Sequence, residues 1–102
     1  MQEEISRKLF LGFIQLHILH HSSIEPIYGV WMIEELSHHG YSVSPGTLYP
    51  ILHSMEKSGL LIKENKQVDG KIRKYYTITP LGLEVLNEGK KKAHELIKEM
   101  NE

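Results

Sequence analysis

Asp69-Gly70 stands between two runs of strand-forming residues and admits few folds around it. Both positions take positive φ readily, as a two-residue hairpin turn requires. Tyr75, Tyr76, Thr77, Ile78 and Thr79 follow with high strand preference. Residues 60–79 are therefore expected to form a β-hairpin in which Val68 pairs with Lys71, Lys66 with Arg73 and Glu64 with Tyr75. Side chains alternate along a strand, so Lys66, Lys71, Arg73 and Tyr75 share one face. Leu61, Tyr76 and Ile78 share the other, toward the core.

The charge of this segment differs from that of the rest. Residues 57–74 carry six cations against Glu64 and Asp69, whereas the whole chain has a net charge of -1. Residues 1–35 are acidic, with five carboxylates against Arg7 and Lys8. A basic stripe on an otherwise acidic chain suits a nucleic-acid surface. A solvated charged hairpin has the same composition, and charge alone does not separate the two.

Around the hairpin the chain reads as helix. Ile5, Leu9, Phe13 and Leu16 form one apolar row over Glu3 to His21, and Phe10, Ile14 and Ile18 form a second. A helix apolar on two sides is buried on two sides. A second helix is expected from Tyr28 to His39, with Val30, Ile33, Leu36 and nearby Trp31 inward and Gly40 as the left-handed stop. Tyr41-Ser42-Val43 reads as a very short strand. A third helix follows, with Ser44 as N-cap and Pro45 at N1. Pro50 conflicts with a helix interior, so an irregular or tightened first turn is expected, with the regular helix starting nearer Gly46. Leu48, Ile51, Leu52 and Met55 point inward, and Gly59 ends the helix. The last helix starts with Thr79 as cap and Pro80 at N1. Its stripe of Leu86, Ala93, Leu96, Ile97 and Met100 is interrupted by Gly89 and Lys90-Lys91-Lys92.

With 102 residues, one compact domain is expected, and so small a core favours a staple or a partner. The chain has no cysteine, which excludes disulfides and thiolate–zinc sites. Oligomerisation remains, and the two-sided first helix with the heptad-like last helix points to a homodimer through Leu9, Phe13, Leu16, Leu86, Ala93, Leu96, Ile97 and Met100. The apolar stretch Leu9–Leu19 is too short to span a bilayer and contains Gln15 and His17. No membrane partner is expected, and the N-terminus lacks a basic secretory start, so the expected location is the cytoplasm.

The order helix, helix, short strand, helix, hairpin is that of a winged helix-turn-helix, mainly α with a small β-hairpin. Residues 1–79 form that unit and residues 80–102 a C-terminal dimerisation helix. An α-helix fits the major groove of DNA, and a basic hairpin beside it reaches the adjacent backbone or minor groove.

Three runs also resemble one family. They are Tyr28-Gly29; Ser44-Pro45-Gly46-Thr47-Leu48-Tyr49-Pro50 followed by Leu52, Glu56 and Gly59-Leu60-Leu61; and Gly70-Lys71-Ile72-Arg73-Lys74-Tyr75-Tyr76-Thr77-Ile78-Thr79-Pro80-Leu81-Gly82. In that order and spacing, over roughly residues 5–86, they resemble the PadR-like (phenolic acid decarboxylase regulator) transcriptional regulators, here in a short form with a single C-terminal helix. The resemblance implies a homodimeric DNA-binding regulator, usually a repressor, on an inverted-repeat operator. It makes Ser44, Thr47 and Tyr49 candidates for groove and phosphate contacts, and Lys71, Arg73 and Lys74 candidates for backbone or minor-groove contacts. Lys66 and Tyr75 join the wing set from their shared face. The partners implied are double-stranded DNA, a second copy of the chain and a small-molecule effector of unknown identity. Some relatives stack flat ligands on an aromatic residue of the last helix, and residues 80–102 contain none.

Catalysis is not expected, because no nucleophile elbow or phosphate loop is present and Asp69, the sole aspartate, is taken by the turn. A winged helix that binds protein rather than DNA is one alternative. A metal-responsive regulator is another, since the chain has seven histidines and His17 and His21 lie one helical turn apart. The simpler reading makes them helix-end and surface groups, so no metal and no cofactor are assigned.

Overall fold

The structure, a computed structural model, describes residues 2–102. Its elements run α1 (Gln2–Ser22), α2 (Gly29–His38), α3 (Pro45–Lys57), β1 (Leu61–Val68), β2 (Lys71–Ile78) and α4 (Pro80–Met100). The chain is mainly helical with one two-stranded antiparallel sheet, the order of a winged helix-turn-helix. Among the described residues no helix is long and apolar enough to cross a membrane.

The hairpin has the register that its turn dictates. Val68 pairs with Lys71, Lys66 with Arg73 and Glu64 with Tyr75. Asp69 and Gly70 both have positive φ, at 52° and 77°, the two-residue turn whose twist matches its strands. Tyr76 and Leu61 face the core and are buried.

Other expectations need correction. Tyr41–Val43 is not a strand. The extra pairing with the sheet falls at Ile27, whose backbone exchanges hydrogen bonds of 2.9 and 2.8 Å with Tyr76. That occupies Tyr76's edge of β2, so residues 41–43 have no strand to join. In α2 the inward stripe is Gly29, Met32 and Leu36, and Val30 is 66% exposed while Met32 is fully buried. The spacing of three and four from Leu36 back to Met32 and Gly29 turns Val30 outward. The helix ends as expected. Gly40 has φ 87°, its N–H reaches the Ser37 carbonyl, and the Tyr41 N–H reaches the Leu36 carbonyl, the paired bonds of a left-handed helix stop.

In α3 the helix begins at Pro45 and carries Pro50 within it. The Ser44 carbonyl shows the tightening, accepting from the N–H groups of both Thr47 and Leu48 at 3.0 and 2.9 Å. Pro50 costs little here because Gly46, whose carbonyl loses its donor, is exposed. Leu48, Ile51, Leu52 and Met55 are all buried.

One hydrophobic core joins α1, α2, α3, the hairpin and the first half of α4. It includes Leu86, which is 3% exposed. Leu86 is therefore a residue of the chain's own core, not a free member of the dimer stripe, and the core crosses the division expected between residues 79 and 80. Gly89 does not merely interrupt that stripe. A Cβ there would lie 2.7 Å from Leu16 Cδ2, so its missing side chain lets α1 approach α4. Beyond it Ala93 is half-buried and Leu96, Ile97 and Met100 are exposed. Of the apolar row Ile5, Leu9, Phe13 and Leu16 on α1, only Leu16 is half-buried in the single chain.

Candidate nucleic-acid interface

The helix expected to enter a groove presents Ser44, Pro45, Gly46 and Thr47 as an exposed N-terminal end. Ser44 holds the cap position with extended backbone, but its side chain does not bond a backbone N–H of the first turn. Its hydroxyl donates instead to Thr47 Oγ1 at 3.3 Å. The first-turn N–H groups therefore carry no side-chain cap, and such a helix end favours a phosphate.

The three recognition-helix candidates do not share one side of α3. Residues two apart are about 200° apart around a helix of 3.6 residues per turn. Thr47 lines a groove with Arg7, Phe10, Ser42 and Val43. Tyr49 faces the opposite way, into a groove of about 400 Å³ between α3, the start of α2 and the wing. There it meets Lys71, Arg73 and Lys74 of β2, with Tyr28 and Val30 completing the wall. Tyr49 reaches this place because Gly29 has no side chain. A Cβ on Gly29 would stand 2.4 Å from the Tyr49 hydroxyl.

On the wing, aromatic rings order the cations. The Arg73 guanidinium lies over the Tyr28 ring, 4.1 Å from its centre, and donates to the Tyr75 hydroxyl at 3.4 Å. Tyr28 meets Tyr75 edge-on at 5.5 Å, and Lys66 Nζ sits 5.4 Å from the centre of the Tyr75 ring. Such stacks hold a cation in place while leaving its charge outward. Lys66 and Lys71 are exposed, whereas Arg73 and Tyr75 are half-buried. Lys74 pairs with Asn65 on the other face of the hairpin, the face toward Tyr49. The structure thus brings Tyr49 together with Lys71, Arg73 and Lys74. Lys66 and Tyr75 share the face of Lys71 and Arg73 but do not line that groove, and Ser44 and Thr47 lie at the helix end.

Three neighbours were not singled out as contacts from sequence. Tyr28 and Val30 border the groove, and His53 is exposed one turn beyond Tyr49. The spacing of four from Tyr49 would have found His53. Nothing local marks Tyr28, because its role depends on Arg73, 45 residues later in the chain.

Comparison with known proteins gives consistent matches. The model of the transcriptional regulator PadR-like family matches residues 16–88. The transcriptional regulator Rv3488 of Mycobacterium tuberculosis is 48% identical over 87 residues, spanning 85% of this chain and 81% of that protein. A PadR-like transcription factor of Bacteroides fragilis superposes with a TM-score of 0.83 at 29% identity, with 96% of each chain covered. A PadR-like regulator of Bacillus cereus does so with a TM-score of 0.83 at 35% identity, covering 92% of this chain and 93% of the other.

Proposed function

The chain belongs to the PadR-like family of transcriptional regulators, and from that premise we propose that it is a sequence-specific repressor that binds an inverted-repeat operator as a homodimer. The observation that carries the reading is the groove in which Tyr49 of α3 faces Lys71, Arg73 and Lys74 of the wing. Cations there neutralise phosphates, and the exposed end of α3 supplies the groove contact. The family is one of regulators rather than enzymes, and no catalytic role is assigned.

The homodimer rests on exposed apolar surface. Leu9 and Phe13 on α1, and Leu96, Ile97 and Met100 on α4, lie open in the single chain. Between the two helices runs an apolar groove of about 260 Å³ lined by Phe13, Leu16, Leu86, Gly89 and Ala93. A partner's α4 laid on this face covers a patch that a soluble monomer rarely leaves open. Sedimentation at micromolar concentration is expected to give twice the chain mass of 11.8 kDa. Ala93→Glu with Leu96→Glu is expected to yield monomer or unfolded chain. A folded monomer from the unmodified protein would remove the dimer.

Selection of bound duplexes from random DNA, followed by footprinting, tests the operator. A two-fold dimer places its recognition helices about 34 Å apart or a multiple of that. Two protected half-sites in inverted orientation are expected. A single asymmetric footprint is incompatible with the symmetric assembly.

A further inference from the structure

Three imidazoles from two elements converge where α1 meets the end of α2. His17 and His21 lie one turn apart on α1, and His39 is the C-cap of α2. One ring nitrogen from each lies within 4.8 Å of the others. Glu35, one turn before His39, places Oε2 2.8 Å from His39 Nε2 and 3.7 Å from His21 Nε2. The cluster is walled by aromatic edges, with Tyr41 against His17 at 5.6 Å and Trp31 against His21 at 5.4 Å. An ion pair accounts for Glu35 and His39, but it gives no reason for His17 to lie 4.6 Å from His39, ring to ring.

We propose that His17, His21, His39 and Glu35 form a binding site for one divalent transition ion of the zinc, cobalt or nickel kind. The donor set is three imidazole nitrogens and one carboxylate oxygen, which suits these ions and not magnesium or calcium, whose sites are built from oxygen. Four donors fill a tetrahedral shell. With bonds of about 2.1 Å, tetrahedral ligands stand about 3.4 Å apart. The three imidazole nitrogens now lie within 4.8 Å of one another, so the side chains draw in by small rotations to reach that spacing. Burial in the first place holds His17 and His21 below the usual histidine pKa; neighbouring imidazoles act in the same direction and Glu35 acts against it. A neutral imidazole is the form that donates to a metal.

The site has a mechanical consequence. His39 immediately precedes Gly40 and the turn into α3, while His17 and His21 belong to the helix that carries the exposed apolar row. A bound ion ties one to the other and fixes the recognition helix relative to α1. Its role as an effector rests on the DNA-binding reading above. Ion binding itself does not, so the test uses the protein without DNA.

Metal-stripped protein is titrated with Zn²⁺, Co²⁺ and Mg²⁺ by calorimetry, with the visible spectrum recorded for Co²⁺. One Zn²⁺ or Co²⁺ per chain is expected, with the intense bands of four-coordinate cobalt, and none for Mg²⁺. His39→Ala and Glu35→Gln should each weaken binding by at least the roughly 10-fold that even an outer-sphere partner is worth. His53→Ala and His94→Ala should leave it unchanged. Zn²⁺ should raise the Tm of the unmodified protein and not that of His39→Ala, whose exposed side chain makes no core contact. Absence of Zn²⁺ binding, equal affinity in His39→Ala, or loss of binding in His94→Ala overturns the site. None of these outcomes bears on whether the chain binds DNA.

Discussion

Alanine at both Lys71 and Arg73 is expected to weaken binding to operator and to random duplex by the same factor. Lys71 is exposed beside the turn, and Arg73 is held over Tyr28 with its charge outward. If each neutralises one phosphate, the slope of log affinity against log salt falls by about one per residue, hence about two for the pair. Folding should change little, since a cation–π contact that stays in reach of water is worth about 0.5–1 kcal/mol. Thr47→Ala is expected to behave differently. It removes a hydroxyl and a methyl from the end of α3, where a base edge would be read, and should narrow the gap between operator and random DNA by about 1–3 kcal/mol. Its salt slope should match that of the unmodified protein. Salt titration of both duplexes for each variant decides the matter. A wing variant that loses specificity while Thr47→Ala keeps it reverses the assignment. Equal uniform losses from both would make Thr47 a phosphate contact that positions the helix.

What the amino-acid order discloses follows how local the physics is. The hairpin register was legible because a two-residue turn fixes every pair from Val68–Lys71 outward, and the faces of Lys66, Arg73 and Tyr75 follow from alternation. The inward row of α3 was legible because Leu48, Ile51, Leu52 and Met55 keep helical spacing beside polar neighbours. In α2 that rule failed. Val30, Trp31, Met32 and Ile33 are consecutive apolar residues, and periodicity cannot choose among them. Tertiary contact chose Met32, and left Val30 to border the interface groove. Residues 41–43 alternate as a strand does, but a strand needs an edge, and Ile27 already pairs with Tyr76. The side of α3 that Tyr49 faces depends on Gly29, 20 positions earlier. His39 joins His17 and His21 only because α1 and α2 cross there. The spacing of His17 and His21 placed two imidazoles one turn apart, and no local signal brought His39 or Glu35 to them.

Gly82→Ala and Gly29→Ala are expected to separate stability from recognition. At Gly82, in the first turn of α4, a Cβ would stand 2.2 Å from the Leu60 carbonyl oxygen and 2.7 Å from Ile78 Cγ1. That oxygen accepts from the Thr79 N–H at 3.1 Å, so moving it breaks the link between the end of α3 and the cap of α4. Alanine gains about 1 kcal/mol of helix propensity. Against this stand about 1–3 kcal/mol of overpacking and about 1 kcal/mol for the bond. The net is destabilising by about 1–3 kcal/mol, and each kcal/mol lowers Tm by roughly 4–8 °C in a domain of this size. At Gly29 the new Cβ meets only the far end of the Tyr49 side chain, which is 40% exposed and free to swing outward. Tm should therefore shift by no more than a few degrees. DNA affinity should fall, because Tyr49 leaves the groove it shares with Lys71, Arg73 and Lys74. The double-mutant cycle carries the argument. If Gly29 acts through Tyr49, adding Gly29→Ala to Tyr49→Ala should cost nothing further in DNA affinity. Losses that simply add would mean that Gly29 reaches the DNA by another route, such as the backbone N–H groups at the start of α2.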